Sequence, residues 1–185
     1  MRATHTVLIV PGLRDHVPEH WQTLLEAALP NARSVPRMKR DKLSCAAWVA
    51  ALDRSLAAID GPVVLVAHSA GVMIVAHWAL TYRRRIVGAL LATPPDLETP
   101  LPEGYPSQAT LLENGWLPTP RMKLPFPSIV AASTNDPLAR YERAAELAAD
   151  WESLLVDLGA VGHLNPASGY GPWPRAEAFI RELSR

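Results

Sequence analysis

VVLVAHSAGVMIVAHWALTY, Val63 to Tyr82, is the stretch whose reading decides the fold. Four branched apolar residues lead into Ala67-His68-Ser69-Ala70-Gly71, and a second apolar run of helical character follows without a break. The pattern predicts a buried strand that turns sharply into a helix at Ser69, the nucleophile-elbow arrangement. Such a turn strains the serine backbone, and small residues two before and two after it keep strand and helix from colliding. Ala67 and Gly71 hold those places, the alanine adding one methyl group to the all-glycine form of the pattern. The helix that Ser69 opens would present unpaired amides and a positive dipole end to a developing oxyanion. A serine among small residues also makes ordinary caps and turns. A base, an acid and a second oxyanion donor must therefore come from elsewhere in the chain.

With 185 residues, the chain is expected to form one domain over 1–185 and to bury roughly 70% of the surface its unfolded form exposes. Lys+Arg 18 against Asp+Glu 18 leaves no net charge, so nothing general attracts nucleic acid or an anionic membrane. The single Cys45 has no partner for an internal disulfide and suits a reducing compartment. Arg2 is followed by only a five-residue apolar run, Val7 to Pro11, too short for a signal peptide, and no run approaches the roughly 20 residues that span a bilayer. A cytoplasmic protein is the expectation.

Thr6 to Val10 reads as a buried strand ended by Pro11-Gly12. Pro18 is placed to start a helix carrying Trp21, Leu24, Leu25 and Ala28 on one face. The nearby His16-Val17-Pro18-Glu19-His20 imitates a zinc-protease motif, but Pro18 puts His16 ahead of the helix, so the two rings should not converge on a metal. Ala32 to Pro36 is a short strand, and Arg37 to Lys42 a solvated basic loop without aromatics to stack bases. Apolar residues recur at helical spacing from Cys45 to Ile59, which makes Cys45 a core thiol. The helix after Ser69 is apolar all round and therefore central, with Arg83-Arg84-Arg85 closing it. His68 and His77 are expected to pack rather than react. Ile86 to Ala92 is another strand. Thr93 to Phe126 is rich in proline and lacks either period, which predicts a long irregular insertion: either beside the site, with Tyr105, Trp116 and Leu117 available to wall a substrate pocket, or a proline-stiffened surface loop anchored by one tryptophan. Then come a strand at Ser128 to Ala132, a helix begun by Pro137, a strand at Leu154 to Val156, a glycine-rich loop over 159–171, and a helix from Pro174 to Leu183.

Strands alternating with helices imply an α/β fold: a doubly wound sheet of about six parallel strands with helices on both faces. Active sites of such sheets gather at the carboxyl ends of the strands, where Gly12-Leu13, Ser69, Asp136 and His163 all fall. The chain order Ser69, Asp136, His163 is that of α/β-hydrolases. Ser69 would attack a carbonyl carbon, His163 would take its proton, and Asp136 would hold the imidazole. Amides of Leu13 and Ala70 would receive the oxyanion. Asp96, after an earlier strand, is the second candidate acid, and Asp157 a weaker one.

The chain resembles the small serine hydrolases of the α/β-hydrolase superfamily that include retinoblastoma-binding protein 9 and many bacterial predicted esterases. The resemblance rests on Val10-Pro11-Gly12, Glu19-His20-Trp21-Gln22, Val66 to Gly71, Leu124 to Ser128, Asn135-Asp136-Pro137, Gly162-His163-Leu164-Asn165, Ser168-Gly169 and Trp173-Pro174. It implies a Ser69, Asp136, His163 triad and a three-layer fold without a large cap domain. The chain departs from the family at Leu138, where an aromatic is often seen. The favoured expectation is a cofactor-free hydrolase of small carboxylic esters, with amides compatible. The competing one is a protein-interaction module on a hydrolase scaffold, since fold does not dictate function.

Overall fold

A strand covered on both faces needs apolar residues on both, and Val7 to Val10 of the first strand and Val63 to Ala67 of the third supply them. The computed structural model describes residues 5–14 and 16–185. Residues 1–4, part of the stretch read for a signal peptide, and Asp15 of the loop after β1 lie outside the described residues. The strands are β1 (Thr6–Val10), β2 (Ala32–Ser34), β3 (Val63–His68), β4 (Gly88–Ala92), β5 (Ser128–Ala132) and β6 (Leu154–Asp157). All pair in parallel, in the order β2-β1-β3-β4-β5-β6. The helices are α1 (Trp21–Ala28), α2 (Cys45–Ala57), α3 (Ala70–Thr81), α4 (Gln108–Glu113), α5 (Tyr141–Asp150) and α6 (Arg175–Leu183).

Side chains alternate across a strand, and here the alternation feeds two cores. Leu8, Val10, Leu65 and Ala67 join a cluster with Trp48, Met73 and Trp151 from α2, α3 and the end of α5. Val7, Ile9, Val64 and Val66 join a second cluster with Trp21, Ala176 and Phe179 from α1 and α6. The chain is thus three layers deep, and α3 is buried on nearly every side. Gly71 allows that helix to start where it does. A methyl group there would lie 2.2 Å from the Val10 carbonyl oxygen and 2.9 Å from that of Pro11, so any side chain would push the first turn of α3 off the end of β1.

Two expected helix starts move, each for a local reason, and one helix lies where none was expected. The first helix begins at Trp21 rather than Pro18, because Pro18 lies in a turn and the His20 ring, through Nδ1, accepts the Gln22 amide at 3.2 Å as an N-cap. The helix expected from Pro137 starts at Tyr141, since Asp136 Oδ1 accepts the Leu138 amide at 2.8 Å and holds the chain in a turn. The irregular segment 93–126 contains α4, capped by Ser107, whose hydroxyl accepts the Thr110 amide at 3.2 Å.

The arginine cluster is split. Arg83 donates to the Ala79 and Tyr82 carbonyls at the end of α3, whereas Arg84 donates to Leu56, Ile59 and Gly61 carbonyls and closes α2. Segment 93–126 is fastened to α5 by ions: Arg121 pairs with Glu98 and Asp150, and Arg143 pairs with Asp96, Glu98 and Glu146. Among the described residues no helix is long and apolar enough to cross a membrane.

Candidate active site

Ser69 joins β3 to α3 at φ 56 and ψ −128, a conformation that costs a non-glycine residue about 1–3 kcal/mol. The strand and the helix over-determine it: the Ser69 amide donates to the Ala92 carbonyl of β4 at 3.1 Å, and its carbonyl accepts the Val72 amide at 2.9 Å. The hydroxyl is left free to face His163, whose Nε2 lies 2.8 Å away. His163 Nδ1 lies 2.8 Å from Asp136 Oδ2 and 3.0 Å from Oδ1. A carboxylate only accepts, so the ring proton belongs on Nδ1, and Nε2 keeps a lone pair for the serine proton.

The loop after β6 is shaped to deliver that ring. Gly162 has φ +58, and a methyl group on it would meet Ser168 Oγ at 2.5 Å. Its amide donates to Asn135 Oδ1 at 2.6 Å, joining the histidine loop to the aspartate loop. The His163 amide donates to Ser168 Oγ at 3.0 Å, and Asn165 Oδ1 in turn accepts from the Ser168 hydroxyl at 2.8 Å. The His163 carbonyl accepts from His68 Nε2 at 2.8 Å.

His20 and His68 lie in the same wall, their ring centroids 4.5 Å apart. Burial pushes the His20 imidazole down to about 4, with the nearby His163 ring acting in the same direction. Burial likewise pushes His68 well below the usual histidine range. Both rings are therefore neutral in the folded protein at pH 7. A depressed folded pKa contributes stability that is complete above about 6.5 and is lost as pH falls toward about 4. Urea unfolding should accordingly weaken over that window. His20→Asn, which keeps an N-cap acceptor, should remove about 1.4 kcal/mol per pH unit from the slope. An unchanged slope would show that His20 titrates alike in both states.

Asp96 does not reach His163. Burial alone would raise its pKa, but bonds from Arg143, Thr99 Oγ1 and the Glu98 amide outweigh burial and hold it low. Asp157 is exposed and accepts its own Gly159 amide at 2.6 Å. His16 and His20 do not converge either: His16 Nε2 lies 3.0 Å from the Val35 carbonyl, whereas His20 caps α1. Among the described residues no group of three His, Cys, Asp or Glu is placed to hold a metal. Burial raises the Cys45 thiol to about 12, so it stays protonated.

A cavity of about 160 Å³ opens over Ser69. Leu13, Ala70 and His163 line it, together with Leu97, Tyr105, Leu111 and Trp116 of segment 93–126 and Leu138. Trp116 is fixed there: its indole donates to the Leu43 carbonyl at 2.6 Å, and its own carbonyl accepts from His77 Nε2 of α3 at 3.1 Å. Leu117, expected beside it, is not in the lining but packs against the core cluster below. Sequence reasoning missed His20, Asn135, Asn165 and Ser168 as parts of this site. All four lie in the motifs that carry the family resemblance, which gave them no role, and His68 carried a further signal in its alternation with Val64 and Val66 along β3.

Residues 7–182 match the family described as "Serine hydrolase". A YdeN-like hydrolase of Pectobacterium atrosepticum is similar at 30% identity and TM-score 0.82, with 98% of this chain and 91% of that one covered. The ydeN gene product of B. subtilis shares the fold at 19% identity and TM-score 0.72, over 97% and 98% of the two chains. Est1E of Butyrivibrio proteoclasticus, solved with ferulic acid, shares it at 13% identity and TM-score 0.71, over 99% and 90%. No curated protein matches the chain.

Proposed function

The chain belongs to the serine hydrolase family, and from that premise we propose that it hydrolyses carboxylic esters of small substrates through an acyl-enzyme on Ser69. The observation that carries this reading is the unbroken series Ser69 Oγ, His163 Nε2, His163 Nδ1, Asp136, with both gaps at 2.8 Å. Ser69 Oγ attacks the ester carbonyl while His163 takes its proton, because a neutral hydroxyl is a weak nucleophile without a base. Asp136 steadies the resulting imidazolium. The tetrahedral oxyanion faces the Leu13 and Ala70 amides, each contributing about 3 kcal/mol. Two features support that placement. Both residues line the cavity, and a methyl group on neighbouring Gly12 would lie 3.3 Å from Ser69 Cβ. The imidazolium then protonates the leaving alcohol, and water, activated by the same ring, releases the acid. No step uses a cofactor. The apolar walls and small volume favour a short acyl group, and amides of similar size suit the same chemistry.

Purified protein should be labelled by a fluorophosphonate probe, and Ser69→Ala should abolish the label. Folded wild type that takes no label would instead favour a protein-interaction role. A panel of short and long acyl esters and matching amides then grades the substrate.

A further inference from the structure

We infer that His68 is a positioning residue that sets the distance between Ser69 and His163 through the hydrogen bond from its Nε2 to the His163 carbonyl. The inference rests on the hydrolase reading of Ser69. Asp136 grips the His163 ring and fixes its orientation, but a ring can be correctly oriented on a backbone that stands too far away. The backbone of His163 is held at two points, its amide by Ser168 and its carbonyl by His68. Only the second comes from the strand that bears the serine. Residues 68 and 69 are covalent neighbours, so this 2.8 Å bond ties the nucleophile to its base across 95 residues of sequence.

The side chain is built to make that bond. His68 follows Val64 and Val66 along one face of β3, whose residues pack toward α1 and α6. The residue is 5% exposed, and its ring is wedged between His20, at 4.5 Å, and His163, at 4.9 Å, with Trp21 edge-on at 6.0 Å. The acceptor is a carbonyl, so Nε2 must carry the proton. Burial keeps the ring neutral, which also avoids placing a cation beside the imidazolium that His163 becomes.

Three measurements test this. His68→Phe keeps the ring but loses the donor, whereas His68→Gln keeps a donor of similar reach. In p-nitrophenyl acetate hydrolysis His68→Phe should lose about 10²-fold in kcat with KM nearly unchanged, and His68→Gln should recover most of the loss. Histidine ring 15N shifts of the wild type should place the His68 proton on Nε2, with no titration between pH 6 and 8. That measurement tests the donor even if His68→Phe does not fold, and the kcat of His68→Gln, at least about tenfold above that of His68→Ala, then tests its effect on the reaction. A proton on Nδ1, wild-type kcat in His68→Phe, or equal losses in both variants would overturn the inference alone. A wild type without Ser69-dependent turnover would overturn the hydrolase reading and this inference with it.

Discussion

Replacing Ser69 or His163 by alanine should lower turnover of p-nitrophenyl acetate by about 10⁶. The two losses should not multiply. Ser69 Oγ and His163 Nε2, 2.8 Å apart, would act as one unit in which an unassisted hydroxyl and a base without a nucleophile are equally idle. The double variant should therefore be no slower than either single one, with a residual rate above that in water from oxyanion donors and binding alone. Steady-state rates corrected for buffer hydrolysis, on variants whose circular dichroism matches wild type, provide the check. A single variant that keeps more than a trace of activity would place the chemistry elsewhere.

The identity of the acid gives the second large effect. Asp136→Asn should reduce kcat by about 10⁴, because an amide offers the His163 Nδ1 position a donor and so favours the wrong tautomer. Asp96→Asn should leave kcat near wild type. Its cost falls on stability instead, about 2 kcal/mol for bonds lost to a charged partner, since Asp96 lies 4% exposed against the Arg143 guanidinium. Kinetics and urea denaturation of the same two proteins thus separate an acid that faces the base from one that fastens segment 93–126 to α5. Reversed results would move the assignment to Asp96.

Sequence texture disclosed the sheet because its inner strands are buried on both faces. Runs such as Val7 to Val10 and Val63 to Ala67 are apolar without alternation, and in a short segment that leaves little but a central parallel strand. The chain order of Ser69, Asp136 and His163 pointed to three side chains that lie in hydrogen-bonded series. Helix starts were harder to read. A proline fits both the first helical turn and the turn ahead of it, and side chains decided between them: the His20 ring before α1 and the Asp136 carboxylate before α5. The helix α4 was hidden because it has six residues with only Leu111 buried, too few to show a period. Without a period, segment 93–126 gave no means of telling Trp116, which faces the cavity, from Leu117, which turns away from it. His68 could be placed on a strand face, but its acceptor comes 95 residues later, a distance no local pattern spans.

The serine follows β3 at the middle of the sheet, and the histidine follows β6 at its rim, 94 residues further on. During synthesis the proposed nucleophile thus emerges 94 residues ahead of its proposed base, and a nascent chain that ends after β4 holds only half of the pair. The segment that brings His163 to Ser69 follows β6, which pairs with β5 at the edge of the sheet. On the proposed reading the Ser69–His163 pair is complete only with β6 in the sheet, so turnover would report that this edge strand is in place.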